Sequence, residues 1–234
     1  TKASNKQVSS KQEYSRNSAK SSSLPDLRKY PSGTPRKKAF LRTVMPYITS
    51  QNAAITAERN WLISKQYQGQ WSPAERARLK DIAKRYKVKW SGNTRKIPWN
   101  TLLERVDIIP TSMVATMAAA ESGWGTSKLA RNNNNLFGMK CMKGRCTNAP
   151  GKVKGYSQFS SVKESVSAYV TNLNTHPAYS SFRKSRAQLR KADQEVTATA
   201  MIHKLKGYST KGKSYNNYLF AMYQDNQRLI AAHM

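Results

Sequence analysis

An uncharged segment that ends in a single acid constrains this chain more than any other feature. Residues 111–125 read T-S-M-V-A-T-M-A-A-A-E-S-G-W-G, in which Glu121 is the sole charged residue. A hydroxyl at Thr111 or Ser112 can cap the free backbone N–H groups of a helix start. Gly123 provides a stop, since glycine ends helices readily. The pattern predicts a buried helix with a carboxylate at its carboxyl end.

Glu121 falls on the apolar face of this predicted helix. At 3.6 residues per turn, Val114 and Glu121 lie about 20° apart around the helix axis. A carboxylate on such a face loses hydration, and this favours the protonated form that a general acid needs. The alternative interpretation is a helix-end glutamate that reaches solvent past Gly123. The pattern alone leaves both interpretations open.

The charge of the chain is strongly positive, with 41 Lys and Arg against 12 Asp and Glu and a net charge of +29. Such a field attracts polyanions, whether nucleic acid, anionic lipid or an acidic cell-wall polymer. No helix-turn-helix, RRM or zinc-finger signature accompanies the charge, so sequence-specific nucleic-acid binding is not expected. The longest uncharged apolar run, Met113 to Ala120, is too short to span a bilayer. The chain begins at Thr1, which favours a processed or trimmed form, and export therefore stays compatible with the lack of a visible signal peptide.

Two cysteines occur in the motif K-C-M-K-G-R-C. Gly144 suits a tight turn, so Cys141 and Cys146 could face each other across a hairpin and form a disulfide. Free thiols and a metal site are the alternatives. The metal site is disfavoured because the histidines show no ligand spacing, and we expect no metal or cofactor; they are His176, His203 and His233.

The first part of the chain divides into a tail and a helical extension. Residues 1–38 hold ten basic residues and two acids with little apolar surface, which predicts a disordered basic tail. Order is expected to begin near Thr34-Pro35 and to continue as a helical extension over residues 39–96. Pro46 should kink or split its first helix. Ser72-Pro-Ala-Glu75 is a capping box that starts another.

The remainder, residues 97–234, reads as a helical domain with one non-helical insertion. Between Ser122 and Lys163 there are eight Lys or Arg and no acid, and the segment contains N-N-N-N-L-F-G-M-K and V-K-G-Y-S-Q-F. This alternation predicts a small β lobe. Helices are expected around it, at Trp99–Val106, Pro177–Lys184, Glu195–Leu205 and Ser214–Ile230, with a capping box at Ser161–Glu164. The predicted fold is α+β and mostly α.

Four motifs in register resemble a known family. A-A-A-E-S-G-W-G-T-S, N-N-L-F-G-M-K, Y-S-Q-F-S-S-V-K-E-S and G-Y-S-T occur in this order, followed by a Tyr-rich helix. This order resembles the bacterial glucosaminidase domain, glycoside hydrolase family 73. Its members are lysozyme-like peptidoglycan hydrolases that cut after N-acetylglucosamine. The helical extension and basic tail are similar to those of an enterobacterial member.

The resemblance implies a role for each matching position. Glu121 would be the general acid, and Tyr208 would face it and orient the acetamido group. Trp124 would pack under the site or against a sugar ring. The remaining implied substrate-binding positions would shape the β lobe beside the cleft: Asn135, Phe137, Gly138, Tyr156 and Phe159. Plain core packing is the alternative for Phe137, Tyr156 and Phe159.

The chain departs from the family pattern in one respect. Many relatives are credited with a second carboxylate in the β lobe, whereas no Asp or Glu lies between Glu121 and Glu164. A two-carboxylate mechanism needs a pair roughly 5 to 9.5 Å apart. Three alternatives need no second carboxylate in the β lobe. They are substrate assistance by the 2-acetamido group, a lytic transglycosylase reaction, and an acid from elsewhere in the chain (Glu164, Asp193 or Asp225).

The resemblance also implies the partners and the location. We expect binding to peptidoglycan and to anionic envelope polymers, a periplasmic or envelope location, no transmembrane segment and a monomer. Two other functions remain open. An amidase would act on the same polymer but would need a zinc site or a Cys–His nucleophile for catalysis. A basic protein that binds cell wall or nucleic acid without cutting is the non-enzymatic alternative.

Overall fold

The computed structural model describes residues 23–205 and 212–234. This part of the chain is mostly helical, as predicted, and none of its helices combines the length and apolarity needed to cross a membrane. The α-helices are α1 (Thr34–Lys65), α2 (Pro73–Arg85), α3 (Trp99–Arg105), α4 (Thr111–Ser122), α5 (Lys128–Asn133), α6 (Val162–Thr175), α7 (Ser180–Lys191), α8 (Ala198–Met201) and α9 (Lys213–Ala231). Short 3-10 helices cover Leu27–Lys29, Pro177–Tyr179 and Ile202–Lys204.

The chain forms two compact units, each built from segments that are distant in sequence. One unit comprises residues 48–117 and 167–234. Part of its core is a buried apolar cluster of Leu62, Leu79, Ile82, Ala83, Tyr86, Val88, Leu102 and Val106. Four of the five tryptophans pack against it, and these are Trp61, Trp71, Trp90 and Trp99. The predicted capping box is confirmed, because Ser72 and Glu75 cap each other at the start of α2.

A buried carboxylate stabilises this same unit. Asp107 accepts hydrogen bonds from Arg190 Nε at 2.9 Å and Nη2 at 2.8 Å. The fully buried Arg186 lies 3.9 Å from the same carboxylate and donates to the carbonyls of Glu104 and Ile108. Burial raises the pKa of the Asp107 carboxyl, but the hydrogen bond from Arg190 and the nearby guanidinium charges outweigh burial and leave the pKa lowered.

The described part of the other unit comprises residues 23–47 and 118–166. Its first residues are ordered, which differs from the prediction of disorder up to residue 38. Leu27 is fully buried, and the Arg36 guanidinium donates to the Leu27 carbonyl at 3.1 Å and to the Tyr30 carbonyl at 3.0 Å. These contacts hold the segment in place despite its polar composition. The first 22 residues of the predicted tail lie outside the described part of the chain.

Helix boundaries confirm several sequence predictions and correct others. Helix α1 begins at Thr34, as predicted, but it continues through Pro46 and is not split there. Helix α7 extends to Lys191, seven residues past its predicted end. The predicted Glu195–Leu205 helix is reduced to α8 and a 3-10 turn. The domain boundaries near residues 38 and 96 remain predictions.

The connection between α5 and α6, residues 134–161, differs from the predicted β lobe. Among the residues described there, β-type pairing is limited to one isolated antiparallel bridge between Lys140 and Tyr156. Side-chain amides take over part of the backbone pairing that strands would provide. Asn133 accepts from Val153 N at 2.8 Å and donates to the Val153 and Ser157 carbonyls. Alternation of apolar and polar residues predicts strands, but it cannot reveal that asparagines will satisfy the backbone instead.

Candidate active site

The carboxyl end of α4 turns sharply because three residues in a row have positive φ. These are Gly123 at 55°, Trp124 at 56° and Gly125 at 81°. The Ser122 hydroxyl donates to the Ala118 carbonyl at 2.6 Å and accepts from Gly125 N at 2.8 Å, which ties the turn to the helix. The sequence E-S-G-W-G therefore ends the helix in a turn that Ser122 ties to the helix. Glu121, half-buried, stands at this end.

Glu121 meets the second motif at Gly138. A Cβ placed on Gly138 would lie 2.9 Å from Glu121 Oε2, closer than real Cβ atoms approach other atoms. Gly138 also has a φ of 66°, which other residues rarely adopt. The backbone conformation and the nearby carboxylate therefore both favour glycine at this position. The two motifs N-N-L-F-G-M-K and A-A-A-E-S-G-W-G are thus in direct proximity at the carboxylate.

Trp124 is held by residues of α1. Its ring meets Phe40 edge-on, with centroids 5.6 Å apart and an interplanar angle of 82°. The Lys37 ammonium lies over the same ring, 5.0 Å from its centroid. Sequence reasoning missed Lys37 and Phe40 as neighbours of this motif. No pattern could have found them, since more than 80 residues separate them from Trp124.

Gly125 packs against residues of the N-terminal segment, residues 23–40. A Cβ at Gly125 would lie 2.5 Å from Leu27 Cδ1 and 3.2 Å from Phe40 Cδ2. The backbone of the E-S-G-W-G turn therefore packs directly on two buried side chains from residues 23–40. Because of this packing, the N-terminal segment is a structural part of the candidate site.

Asn135 organises the chain that carries Gly138. Its amide nitrogen donates to the Met139 carbonyl at 2.8 Å and to the Ser157 carbonyl at 3.0 Å, and its oxygen accepts from Phe137 N and Met139 N. The side chain is 1% exposed. The amide therefore makes two hydrogen bonds as donor and two as acceptor, and all four hold the loop in shape.

The aromatic positions predicted to bind substrate differ in exposure. Phe137 and Phe159 are buried, at 3% and 2% exposed, which favours the packing alternative for both. The Arg145 guanidinium stacks over the Phe159 ring at 5.0 Å. Tyr156 is half-buried and its backbone forms the bridge to Lys140. Tyr208 lies outside the described residues, so its role stays a prediction.

The two cysteines form a disulfide in the α5–α6 connection. Cys141 and Cys146 are bonded, with Cα atoms 5.2 Å apart, and both residues are exposed. The disulfide prediction is confirmed over free thiols and a metal site. Within residues 23–205 and 212–234, no group of three His, Cys, Asp or Glu side chains is arranged to hold a metal ion.

Glu164 is engaged in local contacts at the start of α6. One carboxylate oxygen accepts from the Arg145 guanidinium, and the other accepts from Ser160 N at 2.7 Å and from the Ser160 hydroxyl. Its own N–H donates to Ser161 Oγ at 3.1 Å, so one half of the predicted capping box is present. Partial burial raises the pKa of Glu164, but the Ser160 and Arg145 hydrogen bonds outweigh it and keep the pKa low.

Comparison with known proteins places these features in a family. The glucosaminidase family, described as mannosyl-glycoprotein endo-β-N-acetylglucosaminidase, matches residues 98–228. This range includes Glu121, Trp124, Asn135 and Gly138. No solved structure matches the chain. The family match covers more than half of the chain and contains the turn and the loop that meet at Glu121, so the chain belongs to the glucosaminidase family of glycoside hydrolases.

Proposed function

We propose that this protein hydrolyses the glycan strand of peptidoglycan on the N-acetylglucosamine side, with Glu121 as the general acid. The observation that carries the proposal is the proximity of Glu121 to Gly138. The half-buried carboxylate sits at the end of a helix against the backbone of Gly138, so it is partly shielded from water and still partly open to a substrate. Family membership supports the reaction class.

Glu121 acts on the glycosidic oxygen. Its proton passes to that oxygen as the bond from C1 breaks, and the departing sugar leaves as an alcohol. A nucleophile must then stabilise C1. The acetamido oxygen of the N-acetylglucosamine residue can attack C1 and form a cyclic intermediate, which water opens while Glu121 recovers its proton.

The state of Glu164 supports substrate assistance over a second protein carboxylate. Both of its oxygens are held by Arg145 and Ser160, and its pKa is lowered. A carboxylate committed to these contacts is poorly suited to attack C1. The other two acids considered as a second carboxylate, Asp193 and Asp225, are exposed and belong to the unit that comprises residues 48–117 and 167–234. A lytic transglycosylase reaction, in which Glu121 is acid and then base, is the remaining one-carboxylate mechanism.

Peptidoglycan as the substrate would account for the strongly positive net charge of the chain. Peptide stems carry carboxylates, and a chain with a net charge of +29 is attracted to such a polymer. A cell-envelope location, in the periplasm, fits this substrate and the disulfide between Cys141 and Cys146, since disulfides persist in oxidising compartments.

Digestion of purified peptidoglycan tests the proposal. Wild type and Glu121→Gln are incubated with the polymer in parallel, and the fragments are identified by mass spectrometry. We expect reducing N-acetylglucosamine ends from wild type and a loss of at least about 100-fold in the variant. Anhydro-muramic ends would identify lytic transglycosylation, and detached peptide stems would identify an amidase. A wild type that binds the wall without releasing fragments would make it a binding protein.

A further inference from the structure

A pocket of about 470 Å³ is lined by residues 23–47, which belong to the same compact unit as Glu121. Its volume falls within the range of about 300–1,000 Å³ in which small molecules bind. One wall is the segment before α1 and includes Pro25 and Tyr30. The family match begins at residue 98, so the pocket is a feature of the N-terminal region and not of the matched domain.

The other wall is one face of α1. Its residues recur at helical spacing, and they are Ala39, Arg42, Thr43, Pro46 and Tyr47. The centre of this face lies about 90° around the helix from Phe40, which packs on the Trp124 ring. The pocket therefore lies on a different side of α1 from the contact with the E-S-G-W-G turn.

Contacts within the N-terminal segment hold the two walls together. The Arg36 guanidinium, on α1, donates to the Leu27 carbonyl at 3.1 Å and to the Tyr30 carbonyl at 3.0 Å. Leu27 itself is fully buried. The pocket is therefore formed before a ligand arrives, and this reduces the free-energy cost of binding.

Hydrogen-bond donors in the pocket come from Arg42. Its side chain makes no hydrogen bond or ion pair with any other residue in the ranges 23–205 and 212–234. The planar guanidinium offers several N–H groups to a carbonyl oxygen. Among the described residues that line the pocket it is the only charged side chain, whereas sites for phosphate groups gather clusters of arginines. These features favour a neutral ligand.

Hydrogen-bond acceptors lie on the same helix face as these donors. The Thr43 hydroxyl donates to the Ala39 carbonyl at 3.0 Å, so its proton is used and its oxygen can still accept. Pro46 has no N–H, so the Arg42 carbonyl lacks the hydrogen bond that a helix normally gives it. A ligand with both a carbonyl and an N–H, as in an amide group, complements this arrangement.

We propose that this pocket binds an N-acetylated sugar residue of a glycan strand, at a second site apart from the one that contains Glu121. The choice of an N-acetylated glycan rests on the proposed function. The acetamido carbonyl accepts from Arg42, and the acetamido N–H donates to Thr43 or to the Arg42 carbonyl. The apolar face of the sugar ring packs on Tyr30, whose side chain is partly exposed. Two sites on one polymer raise the effective concentration of the strand at the enzyme.

An NMR titration of the full chain locates binding independently of cleavage. All proteins carry Glu121→Gln, and backbone amide shifts are followed as a disaccharide is added. One probe is diacetylchitobiose, and the other is cellobiose, which has the same linkage but hydroxyl groups in place of the acetamido groups. The test variants are Arg42→Met and Tyr30→Ala. Their matched controls are Lys38→Met and Tyr67→Ala, because Lys38 and Tyr67 are exposed and do not line the pocket.

We expect diacetylchitobiose to shift the amides of the pocket residues saturably and to bind there about tenfold more tightly than cellobiose, because a hydrogen bond to a charged group is lost with the acetamido group. Arg42→Met and Tyr30→Ala should each weaken this binding at least about fivefold, and the controls should stay within about twofold of the parent protein. The proposal is overturned by an absence of shifts in residues 23–47, by equal binding of the two disaccharides, or by an equal loss in Arg42→Met and Lys38→Met. Unchanged binding in an Arg42→Met protein that melts at the parent temperature also overturns it.

The proposed function fails by a different result. If diacetylchitobiose binds the pocket but wild type releases no fragments from peptidoglycan, the sugar site stands and the hydrolase assignment is lost. If wild type releases reducing N-acetylglucosamine ends but the pocket amides do not respond to diacetylchitobiose, the hydrolase stands without a second site.

Discussion

Glu121 Oε2 lies 2.9 Å from the point where a side chain at Gly138 would begin. The relationship joins two motifs from different parts of the chain and makes position 138 a sensitive probe of the acid. It also offers a clean comparison, because Gly151 has a similar positive φ of 82° but open space around it.

Gly138→Ala should therefore reduce activity more than stability alone explains. Both Gly138→Ala and Gly151→Ala carry backbone strain of about 1–2 kcal/mol, since alanine disfavours positive φ. Only Gly138→Ala also displaces the Glu121 carboxylate. We expect at least about a tenfold lower rate of peptidoglycan digestion for Gly138→Ala and a near wild-type rate for Gly151→Ala. Equal rates in variants of matched thermal stability would contradict a role for this contact.

Gly125→Ala should destabilise the protein through Leu27. The new Cβ would lie 2.5 Å from Leu27 Cδ1 at a φ of 81°, and steric conflict in a packed core costs about 1–3 kcal/mol beyond the strain. Chemical denaturation measures the loss, with Gly92→Ala as the control because its φ is 91° and its surroundings are open.

A double-mutant cycle tests whether Leu27 is the cause. Leu27→Ala alone should cost about 2–5 kcal/mol because the side chain is fully buried. The double variant Leu27→Ala with Gly125→Ala should lose less than the sum of the two single variants, since the shortened side chain makes room. Strict additivity would show that the two positions do not conflict.

Asn135→Ala should loosen the loop that carries Gly138. It removes an amide that serves two carbonyls and two N–H groups, and buried groups left unsatisfied cost about 1–3 kcal/mol each. We expect a loss of at least about 2 kcal/mol in the free energy of unfolding. The exposed Asn148→Ala serves as control and should stay within about 0.5 kcal/mol of wild type. Faster hydrogen exchange at Met139 and Phe137 N–H would localise the effect.

Removal of the disulfide should have a moderate effect confined to the loop. A cross-link that closes a ring of about six residues stabilises by ~2 kcal/mol in the chain-entropy model. The variant Cys141→Ser with Cys146→Ser should therefore lower the free energy of unfolding by about that amount, measured by denaturation without reductant. Wild type in reductant should match the variant. A larger loss that spreads to the unit comprising residues 48–117 and 167–234 would contradict a local role.

Acid should destabilise the protein through Asp107. Because its pKa is lower when folded than when unfolded, the stabilisation is present above the unfolded pKa, about 3.9, and is lost as pH falls through the folded value. Asp107→Asn should be less stable than wild type at neutral pH, since it leaves Arg186 and Arg190 without their carboxylate. The difference between the two proteins should shrink below about pH 4. A constant difference from pH 3 to pH 7, measured by denaturation, would exclude this carboxylate as the source.

Local chemistry was sufficient for the features that depend on neighbours in sequence. The start of α1 at Thr34, the capping box at Ser72, the end of α4 near Gly123 and the disulfide between Cys141 and Cys146 each follow from residues within one or two turns. These predictions hold because capping, helix termination and short loop closure involve interactions of short range. The four motifs likewise identified the family from their order alone.

Long-range packing decided the rest. The ordered segment around Leu27, the cation and aromatic ring that hold Trp124, and the asparagines that replace strand pairing all depend on partners distant in sequence. Composition assigned residues up to 38 to a disordered tail, because a polar segment gains too little from its own apolar surface. Its described part, residues 23–38, is ordered because Leu27 fills a space beside Gly125 that no local pattern reveals. The sequence by itself determined the local helix caps, the disulfide and the family motifs, whereas the tertiary structure decided which residues surround the turn after the proposed acid, since Leu27, Lys37 and Phe40 lie more than 80 residues before that turn in the chain.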